Sequence, residues 1–257
     1  MSRTQPWVLD LCCCSGGAGE GYRRAGLRPT SVDIVERPRN PHAFVRANAV
    51  TLLRSMIRSG EIRRYRLVHM SPPCQAKAAL TVGTNESKGW GGRHVDLVPP
   101  LRDLAQRALK LYGIPYVIEQ PAGRSGIRKD LMLCGDMFKG DRPPPYVYRH
   151  RYFELGGWSM TQPAHQRHTG RVRGWRHGVR SEGDYVAVYG KGGGKATVTE
   201  AQHALGIDWT DEWEELTEAI PPVYTELIGR SFLHWRAESV CPDPRCGTGY
   251  HLRRNCP

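Results

Sequence analysis

The sequence lacks any apolar run long enough to cross a membrane, and it does not begin with the basic-then-apolar pattern of a secretion signal. We therefore expect a soluble, intracellular protein with no membrane partner. Acidic residues are also scarce, because 25 Asp and Glu stand against 37 Lys and Arg, for a formal net charge of +12. This excess favours a polyanionic partner, most simply nucleic acid, although a merely soluble basic protein would share it.

A disulfide framework is missing too, although the chain contains eight cysteines. Cys12, Cys13 and Cys14 are consecutive, Cys74 and Cys134 are isolated, and the other three lie near the end of the chain. This irregular spacing does not suggest paired cysteines, so we expect a reducing compartment.

The first 140 residues contain apolar, strand-like runs that alternate with helix-like segments. Strands are predicted over residues 7–13, 31–35, 66–71 and 114–118, and helices over 19–25 and 101–112. The repeated strand-then-helix order predicts an α/β fold with a parallel sheet and helices on its faces. Two further helices, over 199–205 with a Thr199/Gln202 capping box and over 222–235, are predicted to close the domain.

Several groups able to do chemistry lie at or near the ends of predicted strands, where open α/β sheets place their sites. Cys74 stands on a loop stiffened by two prolines, Glu119 ends a strand, and Arg149 and Arg151 are close together in RHRYFE. A thiol, a carboxylic acid and a guanidinium can attack an electrophilic carbon, protonate a ring and hold a carbonyl oxygen. Taken alone, Cys74 is equally compatible with a small buried hydrophobic residue.

A glycine-rich stretch follows the first predicted strand and opens a helix, which suits a nucleotide-like cofactor. The stretch does not match G-x-G-x-x-G in any register, so a dinucleotide-dependent dehydrogenase is disfavoured. Asp33 ends the second predicted strand, about where an acid can bind a ribose hydroxyl.

Five segments resemble, in family order, the motifs of the DNA cytosine-C5 methyltransferases, in particular the short kind found in phages and some bacteria. The segments are DLCCCSGGAGEGYRRAG, SPPCQ, VIEQP, RHRYFE and EAIPPVYTELIG. The resemblance implies a Rossmann-like, class I S-adenosylmethionine-dependent methyltransferase fold. It also implies S-adenosylmethionine as the methyl donor, double-stranded DNA as the partner, and a monomer in the cytoplasm of a bacterial or phage-infected cell.

The same resemblance implies covalent catalysis on a cytosine that leaves the base stack. Cys74 would add to C6, Glu119 would hold N3 and the exocyclic amine, and Arg151 would hold O2, with Arg149 as a further catalytic residue. The residues implied to bind the donor are Asp10, Cys12, Ser15, Gly16, Gly17, Asp33, Ile34, Asn48, Ala49 and Pro72.

At five positions the chain departs from the family pattern. Cys12 replaces an aromatic residue, Cys14 a glycine, Gln120 an asparagine, Asn48 an acid and Glu218 an asparagine. Two other functions therefore stay open: a cytosine-C5 methyltransferase that acts on RNA, and a catalytically silent nucleic-acid-binding protein of the same fold.

The domain organisation follows from the motif positions and from a change in composition. We expect a catalytic domain over 1–155, a short basic recognition segment over 156–197, completing helices over 198–238 and a tail over 239–257. The basic segment interleaves Trp175 with arginines, which suits phosphate contact and base stacking, although a solvated basic loop is the alternative. Its arginines are Arg167, Arg171, Arg173, Arg176 and Arg180.

The tail carries four evenly spaced ligands for a metal ion. Cys241, Cys246, His251 and Cys256 are separated from one another by four residues each and resemble a zinc knuckle with a lengthened first gap. So short a segment has too few apolar residues to fold without a metal, so we expect one structural Zn²⁺. The alternative is a disordered basic tail whose cysteines are incidental.

Overall fold

The computed structural model describes residues 5–74, 95–123, 126–176, 178–190 and 196–239. Its strands are β1 (Trp7–Leu11), β2 (Arg28–Asp33), β3 (Ala43–Arg46), β4 (Tyr65–Met70), β5 (Tyr116–Pro121), β6 (Leu131–Leu133), β7 (Tyr146–Val147), β8 (Arg151–Gly156), β9 (Gly174–Arg176), β10 (Val179–Ser181) and β11 (Tyr185–Val186). Its helices are α1 (Gly17–Ala25), α2 (Ala49–Ser59), α3 (Val98–Tyr112), α4 (Val198–Leu205), α5 (Trp213–Glu218) and α6 (Pro222–Ser239), with 3₁₀ turns at Glu61–Arg64 and Gly135–Phe138.

Seven strands form one sheet in the order β3-β2-β1-β4-β5-β8-β6. The first five are parallel, and β8 runs antiparallel to both of its neighbours. The chain moves outward from β1 to β3 and then crosses back to β4 on the other side of β1. The carboxyl ends of β1 and β4 therefore flank the topological switch point, where open α/β sheets bind ligands.

Helices cover both faces of the sheet because buried parallel strands need a hydrophobic partner on each side. Leu9 and Leu11 of β1 join the core under α2 and α3, whereas Val8, which points to the opposite face, joins the core under α1 and α6. α1 and α6 approach closely through glycine, since a Cβ on Gly21 would lie 2.0 Å from the carbonyl oxygen of Pro222. α6 thus packs closely against the first helix.

A smaller hydrophobic cluster lies beyond the sheet and is formed by β7, β11, α4 and α5. β7 and β11 pair in parallel, and β9 and β10 form an antiparallel hairpin beside them. β9, β10 and β11 belong to the basic segment 156–197.

The predicted parallel α/β sheet is confirmed, and the bounds of its predicted strands move by a few residues. The predicted capping box at Thr199/Gln202 is wrong. The box lies two residues earlier, where Thr197 accepts the Glu200 N–H and the Glu200 carboxylate accepts the Thr197 N–H. The expected zinc ligands in the tail lie outside the described residues. Among the described helices, none has the length and apolar character needed to cross a membrane.

Candidate active site

The loop that carries Cys74 is tied to both strands beside β4. The Ser71 N–H donates to the Leu11 carbonyl at 3.1 Å, at the end of β1. On the other side, Gln120 of β5 donates its amide Nε2–H to the Pro72 carbonyl at 2.6 Å. Gln120, where the family pattern has asparagine, thus holds the loop, and Cys74 is left partly exposed at the sheet's carboxyl edge.

Glu119 and Arg151 form an ion pair beside this loop, with 2.8 Å between Glu119 Oε1 and Arg151 Nε. The antiparallel register explains the contact. Glu119 pairs with Phe153 of β8, so Arg151, two residues before Phe153, projects from the same face on the diagonal. Glu119 was predicted to end its strand, and it lies inside β5, two residues before the end.

The acid in this pair is buried and incompletely bonded. Burial raises the pKa of Glu119, and the charges of Arg151 and Arg149 partly oppose that rise. No donor among the described residues is aligned for a hydrogen bond to Glu119 Oε1. Oε1 is also the oxygen that lies 2.8 Å from Arg151 Nε, so the ion pair compensates its charge while its hydrogen bonding stays incomplete. The pair is therefore suited to a polar ligand.

Cys74 lies within the electrostatic field of the same pair. Burial raises the pKa of the Cys74 thiol, the Glu119 carboxylate raises it further, and Arg151 lowers it. The structure therefore brings Cys74, Glu119 and Arg151 to one place from three strand ends that are distant in the chain.

Arg149 lies close by and makes different contacts. Its terminal nitrogens donate to the backbone carbonyls of Val188, Thr217 and Ala219. Burial, with Arg151 beside it, lowers the pKa of Arg149 to about 9, so the group stays charged at neutral pH. Because these carbonyls occupy its guanidinium, Arg149 is placed to hold the surrounding chain, and Arg151 is the arginine that faces the acid.

The loop after β1 forms the other half of the edge. Cys12 and Cys14 adopt left-handed backbone conformations, with φ of 59° and 49°. Asp33, at the end of β2, stabilises this turn because its Oδ2 accepts the Cys14 N–H at 3.0 Å. Its Oδ1 accepts the Val35 N–H at 3.0 Å, and Arg37 Nε lies 3.7 Å from Oδ2.

The residues expected to bind the donor lie along this half of the edge. Gly17 allows the segment EAIPPVYTELIG to approach, since a Cβ there would lie 2.2 Å from the Ile220 carbonyl. Ile34 is an apolar side chain left 62% exposed directly after Asp33. Asn48 follows β3 and caps α2 by accepting the Thr51 N–H at 3.1 Å. Of the remaining residues of the set, Asp10 lies one residue before the end of β1 and Ala49 begins α2. The loop residues are Cys12, Ser15, Gly16 and Pro72.

Buried polar oxygens beneath this loop also fit a bound ligand or ordered water. The side-chain oxygens of Asp10, Ser15 and Ser31 have no aligned hydrogen-bond partner among the described residues. Burial raises the pKa of Asp10 to about 8, and the backbone of Gly19 opposes that rise. The exposed Ile34 side chain and the glycine-lined start of α1 are features that suit an adenosine group.

No protein-family model matches the chain, and no curated protein matches it in sequence. Solved structures do match. One is a candidate DNA modification methyltransferase encoded within a prophage (E. coli), at 14% identity, covering 90% of this chain and 99% of that one, with a TM-score of 0.51. Another is a variant of Dnmt2 from Spodoptera frugiperda, at 12% identity, covering 89% and 100%, with a TM-score of 0.51.

The fold is that of the Rossmann-like methyltransferases. The resemblance expected from the motifs is thus confirmed at the level of the fold, and at these identities the likeness extends no further. Within the methyltransferase fold, Cys74 follows β4 and Glu119 lies near the end of the neighbouring β5, on one side of the switch point, and Asp10 and Asp33 lie on the other.

Sequence reasoning missed one buried polar chain that leads to the candidate site. His69 of β4 contacts the Tyr22 hydroxyl through Nδ1 at 2.9 Å and the Ser71 hydroxyl through Nε2 at 2.8 Å. Burial lowers the pKa of His69 to about 3, so the ring is neutral. The available signal was a histidine inside an otherwise apolar strand, which requires buried partners.

The basic segment presents its aromatic residue on the β9–β10 hairpin. Trp175 is 60% exposed and pairs with Arg180 across the hairpin. Arg173 is held by Glu200 at 2.8 Å and Arg180 by Glu182 at 3.2 Å, so these two cations are already partnered. Arg167 and Arg171 are exposed.

Proposed function

We propose that this protein is a DNA cytosine-C5 methyltransferase that works through a covalent adduct between Cys74 and C6 of the base. The observation that carries the proposal is the buried Glu119–Arg151 ion pair beside Cys74, with one carboxylate oxygen that lacks an aligned donor. S-adenosylmethionine, bound along the β1–β2 half of the edge, supplies an electrophilic methyl group.

The chemistry needs a nucleophile because C5 of cytosine is a poor one by itself. The Cys74 thiolate forms a bond to C6, and the electron pair of the C5–C6 double bond moves to C5. Glu119, whose raised pKa favours the protonated form, donates a proton to N3, and Arg151 holds O2. C5 then takes the methyl group and S-adenosylhomocysteine leaves.

The adduct resolves by elimination. A base removes the proton from C5, the double bond re-forms, and the C6–sulfur bond breaks to release Cys74 as a thiolate, while N3 returns its proton to Glu119. The thiolate must form first, and burial next to Glu119 works against it, whereas Arg151 favours it. We therefore expect Arg151 to have two roles: it holds O2 of cytosine and it stabilises the Cys74 thiolate.

Double-stranded DNA is the proposed substrate because the chain is strongly basic and exposes Trp175 and arginines on the segment that follows β8. Mass spectrometry of nucleosides after incubation with S-adenosylmethionine tests this choice. 5-Methyldeoxycytidine from duplex DNA supports it. If only structured RNA gives a product, 5-methylcytidine, the substrate is RNA and the proposed chemistry is unchanged.

A covalent trap tests the mechanism. A pool of duplexes with 5-fluorocytosine in place of cytosine should form a denaturation-resistant adduct with the wild type, because fluorine at C5 cannot leave as a proton does. Cys74→Ser should form none, since a serine hydroxyl ionises far less readily than a thiol. Cys13→Ser, which alters a buried thiol, is the matched control and should retain the adduct.

The contrary results are distinct. An adduct that persists in Cys74→Ser would remove Cys74 as the nucleophile. Bound DNA without adduct or product in the wild type would favour the silent nucleic-acid-binding protein.

A further inference from the structure

Four side chains with metal-binding atoms converge outside the candidate active site. They are Cys134, His150, His165 and His168, and their ligand atoms all lie within 4.8 Å of one another. Cys134 Sγ lies 3.5 Å from His168 Nε2, which lies 3.0 Å from His165 Nε2. Zinc bonds of about 2.0–2.3 Å place tetrahedral ligand atoms about 3.3–3.8 Å apart, so the cluster is close to the size of a zinc site.

The four residues come from separate parts of the fold. Cys134 directly follows β6, and His150 directly precedes β8. His165 and His168 belong to residues 157–173, which connect β8 to β9 without a helix or a named strand. A metal ion would therefore join this long connection to the edge of the sheet.

Backbone N–H groups face the buried Cys134 sulfur. Burial raises the pKa of the Cys134 thiol, and backbone hydrogen bonds from Asp136 and Arg149 oppose that rise. Cys134 is also fully buried, so its thiolate needs a cation for compensation. Such hydrogen bonds to the ligand atoms are a usual feature of protein metal sites.

Aromatic packing accounts for only part of the cluster. His168 stacks on Tyr148 with 3.9 Å between ring centroids, and Tyr148 stacks on Tyr185 at 3.8 Å. Stacking fixes the plane of the His168 ring. It does not explain why the Cys134 thiol and the nitrogens of three imidazoles point at one another. A proton between two of these four atoms can form a hydrogen bond within that pair only.

We propose that Cys134, His150, His165 and His168 bind one Zn²⁺ ion. One thiolate and three imidazoles are a borderline-soft set that suits zinc, and four protein ligands fill its tetrahedral shell. A filled shell makes the site structural. His150 directly precedes Arg151 in the chain. The ion would therefore fix residues 157–173 next to the arginine that faces Glu119. This inference does not depend on the proposed methyl transfer.

The test must separate this site from the ligands predicted in the tail. We would measure zinc in the full-length protein, purified without chelator, after Cys246→Ser has disabled the tail. About one equivalent should remain, and X-ray absorption at the zinc edge should show one sulfur and three nitrogen ligands. Less than about a tenth of an equivalent, or a shell of mainly sulfur, would overturn the proposal.

Ligand variants in the Cys246→Ser background give the second measurement. His165→Ala should lose the remaining equivalent, and His165→Cys should retain it because a thiolate can replace the imidazole. His234→Ala, which alters an exposed histidine on α6, is the control and should keep the metal. Full zinc content in a folded His165→Ala protein would overturn the assignment, and if that variant does not fold, the absorption spectrum still decides.

Hydrogen exchange tests the anchoring role. Removing the metal from the Cys246→Ser protein should increase amide exchange within residues 157–173 and leave β1, β4 and β5 protected. Unchanged exchange in 157–173 after complete metal loss would overturn the anchoring role.

Discussion

The two halves of the sheet's carboxyl edge compensate their buried acids in different ways. On the β4–β5 half, Glu119 is ion-paired with Arg151, and its Oε1 receives no aligned hydrogen bond. On the β1–β2 half, both oxygens of Asp33 accept backbone N–H groups, whereas Asp10 is buried without a salt-bridge partner among the described residues. A paired but incompletely bonded carboxylate is available to a ligand, a saturated one shapes the chain around it, and one without a cation keeps its proton. The comparison predicts three different outcomes when each acid becomes its amide.

The largest effect is expected for Glu119→Gln. The amide keeps the shape of the side chain but cannot donate the proton that N3 needs, so kcat should fall by about a thousandfold. The affinity for S-adenosylmethionine, measured by calorimetry, should stay within about twofold, since Glu119 lies on the other half of the edge. Glu36→Gln, which alters an exposed acid near Asp33, should leave kcat unchanged.

A collapse of donor affinity in Glu119→Gln would contradict the comparison, because it would place Glu119 in the donor pocket. Unchanged kcat would remove the proposed proton transfer.

The effect of Asp33→Asn should be smaller and should appear in binding. An amide offers one acceptor oxygen in place of two, so one of the N–H groups of Cys14 and Val35 would face an NH₂ group. We expect the turn to shift and the affinity for S-adenosylmethionine to fall about tenfold, the size of one lost hydrogen bond to a charged group. At saturating donor, kcat should be close to that of the wild type.

Calorimetric titration with S-adenosylhomocysteine measures the loss, again with Glu36→Gln as the control. If Asp33→Asn lowers kcat at saturating donor as strongly as Glu119→Gln does, the division of the edge into two halves fails.

Much of this edge could be predicted because local sequence determines it. Apolar runs mark β1, β4 and β5, and parallel strands bring their carboxyl ends together, so Cys74 and Glu119 were expected to be neighbours. The direction of β8 has no such local signal. Its antiparallel register places Arg151 beside Glu119, and long-range pairing sets that register.

The Cys/His cluster shows the limit more clearly. Cys134 looked isolated because its partners lie 16 to 34 residues further along the chain at irregular spacing, without the short repeats of a familiar zinc motif. Only the fold of residues 157–173 back over β6 brings the histidines to it. Arg149 was assigned to catalysis on its motif, and its three backbone carbonyl partners come from segments that no local pattern connects to it.

The smallest effect is expected for Asp10→Asn, and it should depend on pH. Burial raises the pKa of Asp10 to about 8 from an ordinary value of 3.8, so the folded protein keeps a proton that the unfolded chain releases. The unfolded state then binds fewer protons between about pH 4 and pH 8, and the stability of the wild type should fall as pH rises through that window. Burial lowers the pKa of His69 from 6.5 to about 3, so this residue changes stability in the opposite direction up to about pH 6.5, but it is present in both proteins and cancels in their difference. Asparagine carries no such proton, so Asp10→Asn should gain about 1 kcal/mol on the wild type between pH 6 and 7.5, within the ceiling of about 1.4 kcal/mol per pH unit for one proton. Urea unfolding of both proteins across pH 5–8 measures the difference between their free energies of unfolding. A difference that does not widen as pH rises would show that Asp10 is ionised and compensated in the folded protein.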